Sequence, residues 1–326
     1  MSPRARVIAV VAAASLLAAG GTVALAVVTK SDKGGGVKGA QPLAGTPPIA
    51  LDLGVRTDPE SQALRRAEHL YSQEKRRAAA QVFARYHSPE AQIGAAFAAW
   101  PDGSLSRLER LAADQQGNSL VLLHLGYALA WSGQGKDAIA AWRRATQAQP
   151  DSLSSQRADD ALYYPRFPVG VPFFVPSFAP PARLDRLSPP QQLAELARDA
   201  RRPDVHAKLL YGLALQRLGH RISARRQYEA AARLAPRDPE AQVAAAVARF
   251  EKGRPAEAFS RLGPLTRRFP RAATVRFHLG LLLFWLAKSQ PGAVAEGKRQ
   301  LRLARALEPQ SPLAREAAQL LVALRG

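Results

Sequence analysis

Residues 125–150 read LGYALAWSGQGKDAIAAWRRATQAQP, the first copy of a pattern that recurs along the chain. Its apolar residues recur at spacings of three and four, which predicts helices, and the pattern breaks at Gly133 and Gly135. The positions that later recur are Leu125-Gly126, Ala138, Trp142, Ala145 and Pro150. The stretch therefore predicts two helices joined by a turn, with a proline ending the second helix.

The same pattern occurs three more times downstream. The copy at 205–238 carries Gly212, Ala224, Tyr228, Ala231 and Pro236 at identical internal spacing. The copy at 239–272 carries Ala246, Ala258, Leu262, Leu265 and Pro270. The copy at 273–311 carries Leu279-Gly280, Leu301, Ala304 and Pro309. Pro236 and Pro270 are 34 residues apart, whereas Pro270 and Pro309 are 39 apart, so the last copy contains five additional residues.

A 34-residue unit with a small residue where two helices cross, an aromatic residue between them and a final proline resembles the tetratricopeptide repeat family. Four copies, beginning with 119–152, cover about half of the chain. The resemblance implies an all-α fold, a solenoid of helical hairpins coiled as a right-handed superhelix. Residues 57–118 predict degenerate hairpins, and residues 312–326 predict a capping helix.

An insertion at 153–204 separates the first copy from the second and ends in a predicted helix. Within it, residues 163–181 read YYPRFPVGVPFFVPSFAPP, where dense proline forbids helix and favours an extended backbone. Its aromatic residues include Tyr164, Phe167, Phe173, Phe174 and Phe178. Disordered segments are normally poor in aromatics, so we expect this one to lie in the solenoid's own groove as a built-in ligand. A partner-binding arm in solvent and a segment that enters the lipid surface are the alternatives.

The N-terminus predicts attachment to a membrane. A basic tail at 1–6 precedes an uncharged run at 7–28, which as a helix is long enough to cross a hydrocarbon core of about 30 Å. We expect an uncleaved transmembrane anchor, with a cleaved signal peptide as the alternative. Residues 29–56 are rich in glycine and proline and predict a flexible linker. The expected location is the cell membrane, with one span and the solenoid outside the cytoplasm.

In the family that the repeats resemble, partners bind a concave groove lined by the first helix of each repeat. The corresponding positions here are Leu120, Leu123, Tyr127, Trp131, His206, Leu209, Leu213, Arg217, Val243, Val247, Phe250, Phe277, Leu281, Phe284 and Trp285. Family members that clamp a terminal carboxylate carry Lys, Arg and Asn at these places. The groove predicted here is apolar, so we expect it to bind protein partners without such a clamp.

Arginine pairs form a second pattern, on the second helices. The resemblance implies that these helices form the outer surface, where Arg143, Arg144, Arg225 and Arg226 would make a convex basic ridge. With a net charge of +20, the chain suits a polyanion such as lipid head groups or cell-wall polymer. Nucleic acid is less expected, because no aromatic residues are interleaved with these arginines. A solvated helical face is the simpler interpretation of the same arginines.

Motifs for catalysis are nearly absent. Cysteine is missing and the six histidines form no pair with metal-ligand spacing, so neither a metal nor another cofactor is expected. Ser72 and Lys75 match an SxxK pattern without its companion motifs, which we attribute to chance. The sequence predicts a non-enzyme, a membrane-tethered scaffold that binds protein through its apolar groove. A polyanion-binding protein that uses the arginine ridge is the alternative.

Overall fold

Short polar side chains followed by proline mark where several helices begin. Asp58, Ser88 and Ser311 each precede a proline in the first turn, and each side-chain oxygen accepts the backbone N–H three residues further on. Proline at this position leaves no N–H without a partner and fixes φ near the helical value. The starts of these helices therefore follow directly from the local sequence.

The computed structural model describes residues 42–164 and 166–324. In these two ranges the regular structure is helical and no strand occurs. The α-helices are α1 (Pro59–Ser72), α2 (Arg76–Phe83), α3 (Pro89–Ala98), α4 (Ser104–Asp114), α5 (Ser119–Trp131), α6 (Gly135–Ala148), α7 (Leu153–Tyr163), α8 (Pro189–Asp199), α9 (Val205–Arg217), α10 (Arg221–Leu234), α11 (Pro239–Val247), α12 (Ala256–Arg268), α13 (Ala273–Trp285), α14 (Ala293–Leu307) and α15 (Pro312–Ala323). A short 3-10 helix (Ala182–Arg186) precedes α8. The all-helical prediction is confirmed for the described part of the chain.

Consecutive helices pack as antiparallel hairpins around glycine–aromatic contacts. A Cβ built on Gly212 in α9 would lie 2.6 Å from the ring of Tyr228 in α10, which is closer than atoms can approach. Gly126 in α5 meets the indole of Trp142 in α6 in the same way. The glycine thus makes room for the aromatic ring between the two helices, which is the role that the repeat pattern predicts.

The described residues form two units, an N-unit that ends at Tyr164 and a C-unit that continues to 324. The N-unit contains three hairpins, α1–α2, α3–α4 and α5–α6, followed by α7, which packs on α5 and α6. The C-unit contains the hairpins α9–α10, α11–α12 and α13–α14, followed by α15, which packs on α13 and α14. Helix α8 packs on α9. Each unit is therefore three hairpins and a final helix.

The two units also share short sequences at equivalent places. Residues 89–92 at the start of α3 and residues 239–242 at the start of α11 both read PEAQ. Residues 124–126 in α5 and residues 278–280 in α13 both read HLG. Because the matches fall in the second and third hairpins of both units, the chain is an internal tandem of one architecture.

Several expected boundaries differ from the structure. Residues 153–163, expected within the insertion, form α7 and complete the N-unit. Residues 43–53, expected within the flexible linker, pack against helices, and Ile49, Leu51 and Leu53 are buried. The expected anchor at 7–28 lies outside the described residues. Of the helices in the described ranges, none has the length and apolar character needed to cross a membrane.

Candidate functional site

Each unit holds an extended segment of the chain against its helices. The N-segment (residues 43–53) lies in the N-unit, and the C-segment (residues 167–178) lies in the C-unit. Neither contains a helix or a strand. We call the helical surfaces that contact them the N-groove, on α1, α5 and α7, and the C-groove, on α9, α11 and α13 with the residues that flank them.

Side chains of the C-groove bind the backbone of the C-segment directly. Gln216 of α9 donates to the carbonyl of Pro172 over 3.0 Å and accepts the N–H of Phe174 over 3.4 Å. His278 of α13 accepts the N–H of Val175 over 2.9 Å through Nε2. Glu240 of α11 accepts the N–H of Ser177 over 2.8 Å. The C-groove therefore hydrogen-bonds the main chain of the segment, as a neighbouring β-strand would.

The hydrogen bonds of His278 fix its tautomer. Its Nδ1 lies 2.7 Å from the carbonyl of Thr274, which can only accept, so Nδ1 carries the proton. Nε2 is then an unprotonated acceptor facing the N–H of Val175. Burial lowers the pKa of His278 from 6.5 to about 4, opposed by the backbone bond to Thr274. The neutral ring is thus the form that holds the segment.

Aromatic side chains of the C-segment fill the C-groove. Phe174 is 1% exposed, stacks on the ring of His278 at 5.3 Å between centroids and meets Tyr228 edge-on at 5.6 Å. Phe167 is buried edge-on against Phe250 at 6.2 Å. Such pairs add stability beyond the apolar area that they bury.

Farther along the C-segment, Phe178 packs edge-on against His206 of α9, with 4.4 Å between ring centroids. Phe167, Phe174 and Phe178 together make four ring contacts with the C-groove, spaced along the whole segment. The C-segment is therefore anchored by side chains as well as by its backbone.

The N-groove uses the same histidine arrangement. His124 of α5 accepts the N–H of Ala50 over 3.1 Å through Nε2, while Nδ1 donates to the carbonyl of Leu120 over 2.7 Å. The pKa of His124 is lowered from 6.5 to about 4, mainly by burial; the hydrogen bond to Leu120 acts in the opposite direction, and the positive charge of Arg157 contributes to the lowering. His124 and His278 therefore occupy equivalent places in both sequence and contacts.

Three further side chains hold the N-segment. The hydroxyl of Tyr71 donates to the carbonyl of Pro47 over 2.7 Å, and Arg157 of α7 donates to the carbonyl of Leu51 over 3.2 Å. Glu68 of α1 accepts the N–H of Leu51 over 3.1 Å. The N-segment is thus bound through the main chain of Pro47, Ala50 and Leu51, and it is part of the folded unit.

The carboxylates of the two grooves are protonated more readily than exposed ones. Burial raises the pKa of Glu240 above its ordinary value, and its hydrogen bonds from Ser177 act in the opposite direction. Burial likewise raises the pKa of Glu68, opposed by the N–H of Leu51 and by nearby arginines. Each segment is therefore held by a histidine and a glutamate whose pKa values shift in opposite directions.

The groove positions predicted from the sequence fall into both units. Those in the N-unit are Leu120, Leu123, Tyr127 and Trp131, and all four are buried. Those in the C-unit are Leu209, Leu213, Val243, Val247, Phe250, Phe277, Leu281, Phe284 and Trp285, of which all are buried except the half-buried Leu281. In neither unit do these positions form an exposed apolar surface.

The predicted ligand residues do not all lie together. Phe167, Phe174 and Phe178 contact the C-groove, whereas Phe173 is half-buried beside them. Tyr164 belongs to the N-unit, where its N–H caps α7 by donating to the carbonyl of Asp160. The chain therefore ends its first unit at Tyr164 before the C-segment begins.

The predicted basic ridge is divided between the units. Arg143 and Arg144 are exposed on α6, and no ion pair of theirs occurs among the described residues. On α10 Arg226 is exposed, but Arg225 is half-buried and lies 3.7 Å from Glu251. Arg225 is therefore partly neutralised.

The described ranges contain no group of three or more His, Cys, Asp or Glu side chains that could hold a metal ion. Ser72 and Lys75, the SxxK residues, are exposed at the turn between α1 and α2. The hydroxyl of Ser72 donates to the carbonyl of His69 over 2.8 Å. This serine therefore makes a local helix-end bond.

No protein-family model matches the chain, and no curated protein matches it either. The solved structures similar to it include tetratricopeptide repeat proteins. One, the C-terminal part of a TPR repeat-containing protein from Cytophaga hutchinsonii, is 14% identical and has a TM-score of 0.30, with 79% of this chain and 99% of that chain covered. A tetratricopeptide repeat protein from Parabacteroides merdae is 10% identical, with a TM-score of 0.34 and coverage of 82% and 99%. The TPR2AB domain of yeast Sti1, in complex with pHSP90, is 13% identical, with a TM-score of 0.30 and coverage of 82% and 98%.

Sequence reasoning missed the polar residues of the two grooves. His124, His278, Gln216 and Glu240 lie in helices whose apolar pattern drew attention to their neighbours instead. For the two histidines and Glu240 the signal was repetition: HLG and PEAQ each occur twice, at positions that the structure places in equivalent hairpins. A polar residue that recurs within an apolar helix is a candidate for a buried hydrogen bond.

Proposed function

We propose that this protein is a helical-repeat interaction scaffold whose grooves bind extended polypeptide, and that the free chain occupies both grooves with its own N-segment and C-segment. One observation carries the proposal: buried and half-buried groove side chains hydrogen-bond the backbone of each segment. Gln216, His278 and Glu240 do so in the C-groove. Backbone contacts supply affinity for any extended chain, while the apolar pockets supply selectivity.

The chemistry of the grooves favours polypeptide over a small molecule. The polar atoms of the C-groove are spaced along an extended main chain, from Pro172 to Ser177. Between them stand aromatic contacts rather than charged side chains. A ligand must therefore present alternating amide groups and apolar side chains, as an extended peptide does.

Attachment to the membrane through residues 7–28 is part of the proposal. The uncharged run is long enough to span a bilayer, and it is followed within a few tens of residues by the N-segment. A tethered scaffold would hold its partners near the membrane surface. Protease added to intact spheroplasts tests this placement, since full protection of residues 57 onward would contradict an extracytoplasmic scaffold.

Peptide binding in trans tests the groove. In a chain with Phe167→Ser and Phe174→Ser, the C-segment loses its two buried rings. We expect a dye-labelled peptide of residues 167–178 to bind this variant at least tenfold more tightly than the wild type, measured by fluorescence anisotropy. The matched control is Phe173→Ser, because Phe173 is half-buried beside the same contacts.

The variant must keep its fold for the comparison to count, which circular dichroism and a cooperative melt establish. A folded double-serine variant that binds the peptide no better than the wild type would contradict a peptide-binding groove. Equal gains in the Phe173→Ser control would show that the pockets occupied by Phe167 and Phe174 do not determine binding.

A second candidate function, binding of a polyanion, is favoured by Arg143 and Arg144. Both are exposed on α6 and make no ion pair among the described residues. Near an anionic membrane each basic residue contributes about 1 kcal/mol. Removal of both by alanine substitution should weaken binding to anionic vesicles, whereas Arg225→Ala should matter less because of Glu251. Equal binding of the wild type to neutral and anionic vesicles would eliminate this candidate.

A further inference from the structure

The two segments can be aligned by the histidine contact, which occurs in both units. Ala50 gives its N–H to His124, and Val175 gives its N–H to His278. Counting from this residue, a proline stands three positions earlier in both segments, at Pro47 and Pro172. The two segments thus agree at a position away from the one that the histidine binds.

The agreement extends to the apolar positions. One residue before the histidine-bound position stand Ile49, which is 6% exposed, and Phe174, which is 1% exposed. Three residues after it stand Leu53, which is buried, and Phe178, which packs on His206. The position itself carries a small aliphatic side chain in both segments, alanine or valine. The shared pattern is Pro-x-apolar-(Ala/Val)-x-x-apolar.

The shared proline has a physical reason. The carbonyl of Pro47 accepts from the hydroxyl of Tyr71 over 2.7 Å, and the carbonyl of Pro172 accepts from Gln216 over 3.0 Å. A proline offers this carbonyl on a backbone already restricted to extended conformations, so less entropy is lost on docking. Tyr71 in the N-groove and Gln216 in the C-groove thus donate to the same backbone atom of each segment, the carbonyl oxygen of its proline.

The other prolines lie at positions whose N–H is not bound by the described side chains of the groove that holds them. Pro176 lies between Val175 and Ser177, whose N–H groups are both bound. Pro48 follows Pro47 at the place that Phe173 occupies in the C-segment. Proline has no N–H, so it fits only at positions where the groove accepts no backbone N–H. The permitted prolines are therefore a prediction for each groove: the position of Pro176 accepts proline in the C-groove, whereas its counterpart in the N-segment, Leu51, gives its N–H to Glu68.

We infer that both grooves accept one class of ligand, an uncharged or weakly charged extended polypeptide segment of the pattern Pro-x-apolar-(Ala/Val)-x-x-apolar. This inference rests on the proposed function and specifies its partner: a protein that presents such a segment in an unstructured region. The two segments of this chain are the model ligands, since the C-segment has no charged residue and the N-segment has only Asp52.

Exchange of ligands between grooves tests the inference. The receptor is the full chain with Phe167→Ser and Phe174→Ser, and the probes are dye-labelled peptides of residues 43–54 and 167–178. We expect both peptides to bind, with affinities within tenfold of each other. A peptide of 43–54 with Ile49→Ser is the matched control and should bind at least tenfold more weakly than its parent.

Proline substitution in the 167–178 peptide tests the register. Val175→Pro removes the N–H that His278 accepts and should reduce affinity at least tenfold. Phe173→Pro reproduces the arrangement of Pro48 and should change affinity less than threefold. If the double-serine receptor does not fold, Val175→Pro in the chain itself weakens the resident C-segment by a different route and serves as the receptor.

The outcomes separate the inference from the function on which it rests. If the 167–178 peptide binds but the 43–54 peptide does not, or if Val175→Pro binds as well as its parent, the shared pattern is wrong and the peptide-binding groove remains. If no peptide binds either receptor, the proposed function itself is wrong. Binding of both peptides with the expected proline register supports both.

Discussion

Lowering the pH from 7 to 5 should loosen the C-segment through His278. Its Nδ1 already donates to the carbonyl of Thr274, so a second proton must go to Nε2, which accepts the N–H of Val175. Protonation would place two donors face to face and would bury a charge beside the ring of Phe174. The imidazolium form is therefore incompatible with the docked segment.

The size of the effect follows from the shift in pKa. Burial holds the pKa of His278 at about 4, against 6.5 in an unfolded chain. The unfolded chain takes up this proton below pH 6.5, whereas the folded chain does not until about pH 4. The stabilising contribution of the neutral His278 is thus fully present above pH 6.5 and is lost as the pH falls towards 4. At about 1.4 kcal/mol for each pKa unit, the full loss is roughly 3 kcal/mol, of which about 2 kcal/mol is lost by pH 5.

Titration of Glu240 changes stability with pH in the opposite direction, so its effect must be separated from that of His278. Burial raises the pKa of Glu240, which means that the folded state binds this proton more tightly than the unfolded state. Its stabilising contribution is present below its unfolded pKa and is lost as the pH rises through the folded one. The difference between wild type and His278→Gln isolates the histidine, because Gln accepts an N–H without titrating.

Urea unfolding at several pH values, with hydrogen exchange at Val175 as a local probe, measures the effect. The wild type should lose about 2 kcal/mol more than His278→Gln between pH 7 and pH 5. His69→Gln, which changes an exposed histidine of α1, should behave as the wild type. The same pH dependence in His278→Gln and wild type would refute the reasoning. If that variant does not fold, NMR titration of the wild-type imidazole decides, and a pKa near 6.5 would refute it equally.

Two further pairs of variants test the packing. Phe174→Ala should cost about 3–5 kcal/mol in unfolding free energy, because its ring is 1% exposed, whereas Phe173→Ala beside it should cost roughly 1 kcal/mol. Urea midpoints check this, and equal losses would contradict the burial of Phe174. Gly212→Ala should cost about 1–3 kcal/mol because the new methyl group meets the ring of Tyr228, whereas Gly135→Ala, with open space around it in the first turn of α6, should stabilise by about 0.5–1 kcal/mol. Thermal melts decide, and a Gly212→Ala variant as stable as wild type would show that the two helices can separate at no cost.

The helical hairpins were predictable because their signals are local. The small–aromatic pair of Gly212 and Tyr228 repeats at fixed spacing, and proline stands near the helix ends. The fate of residues 43–53 was not predictable in this way. Glycine and proline favour an extended chain, but composition does not tell whether such a chain is solvated or bound. That depends on Tyr71, His124 and other residues far away in the sequence.

The division into two units was missed for a related reason. Counting repeat periods placed α7 (Leu153–Tyr163) in the insertion, because it carries no repeat marks. It is the final helix of the N-unit, and α15 (Pro312–Ala323) is its counterpart in the C-unit. Final helices bury one face only and need no glycine–aromatic contact, so the repeat pattern does not report them.

The composition of α5 explains why the N-groove is occupied. Its sequence, SLVLLHLGYALAW, has no polar face, and all thirteen residues are buried. A first helix of a hairpin buries one face against the second helix, so a helix that is apolar all round needs cover on its other face as well. The N-segment lies on α5 through the bond from Ala50 to His124. Removal of the segment without replacement would expose a large apolar patch.

Because emptying the N-groove would expose the apolar face of α5, the partner binding proposed above requires exchange with the resident segment. The resident segment is tethered and acts at an effective concentration on the order of millimolar. A partner with the same contacts, present at micromolar concentration, would then occupy only about one groove in a thousand. Exchange therefore requires a partner with additional contacts, or an event that first weakens the resident segment. Protonation of His124 and His278 is such an event, because it removes the acceptor on which each segment depends.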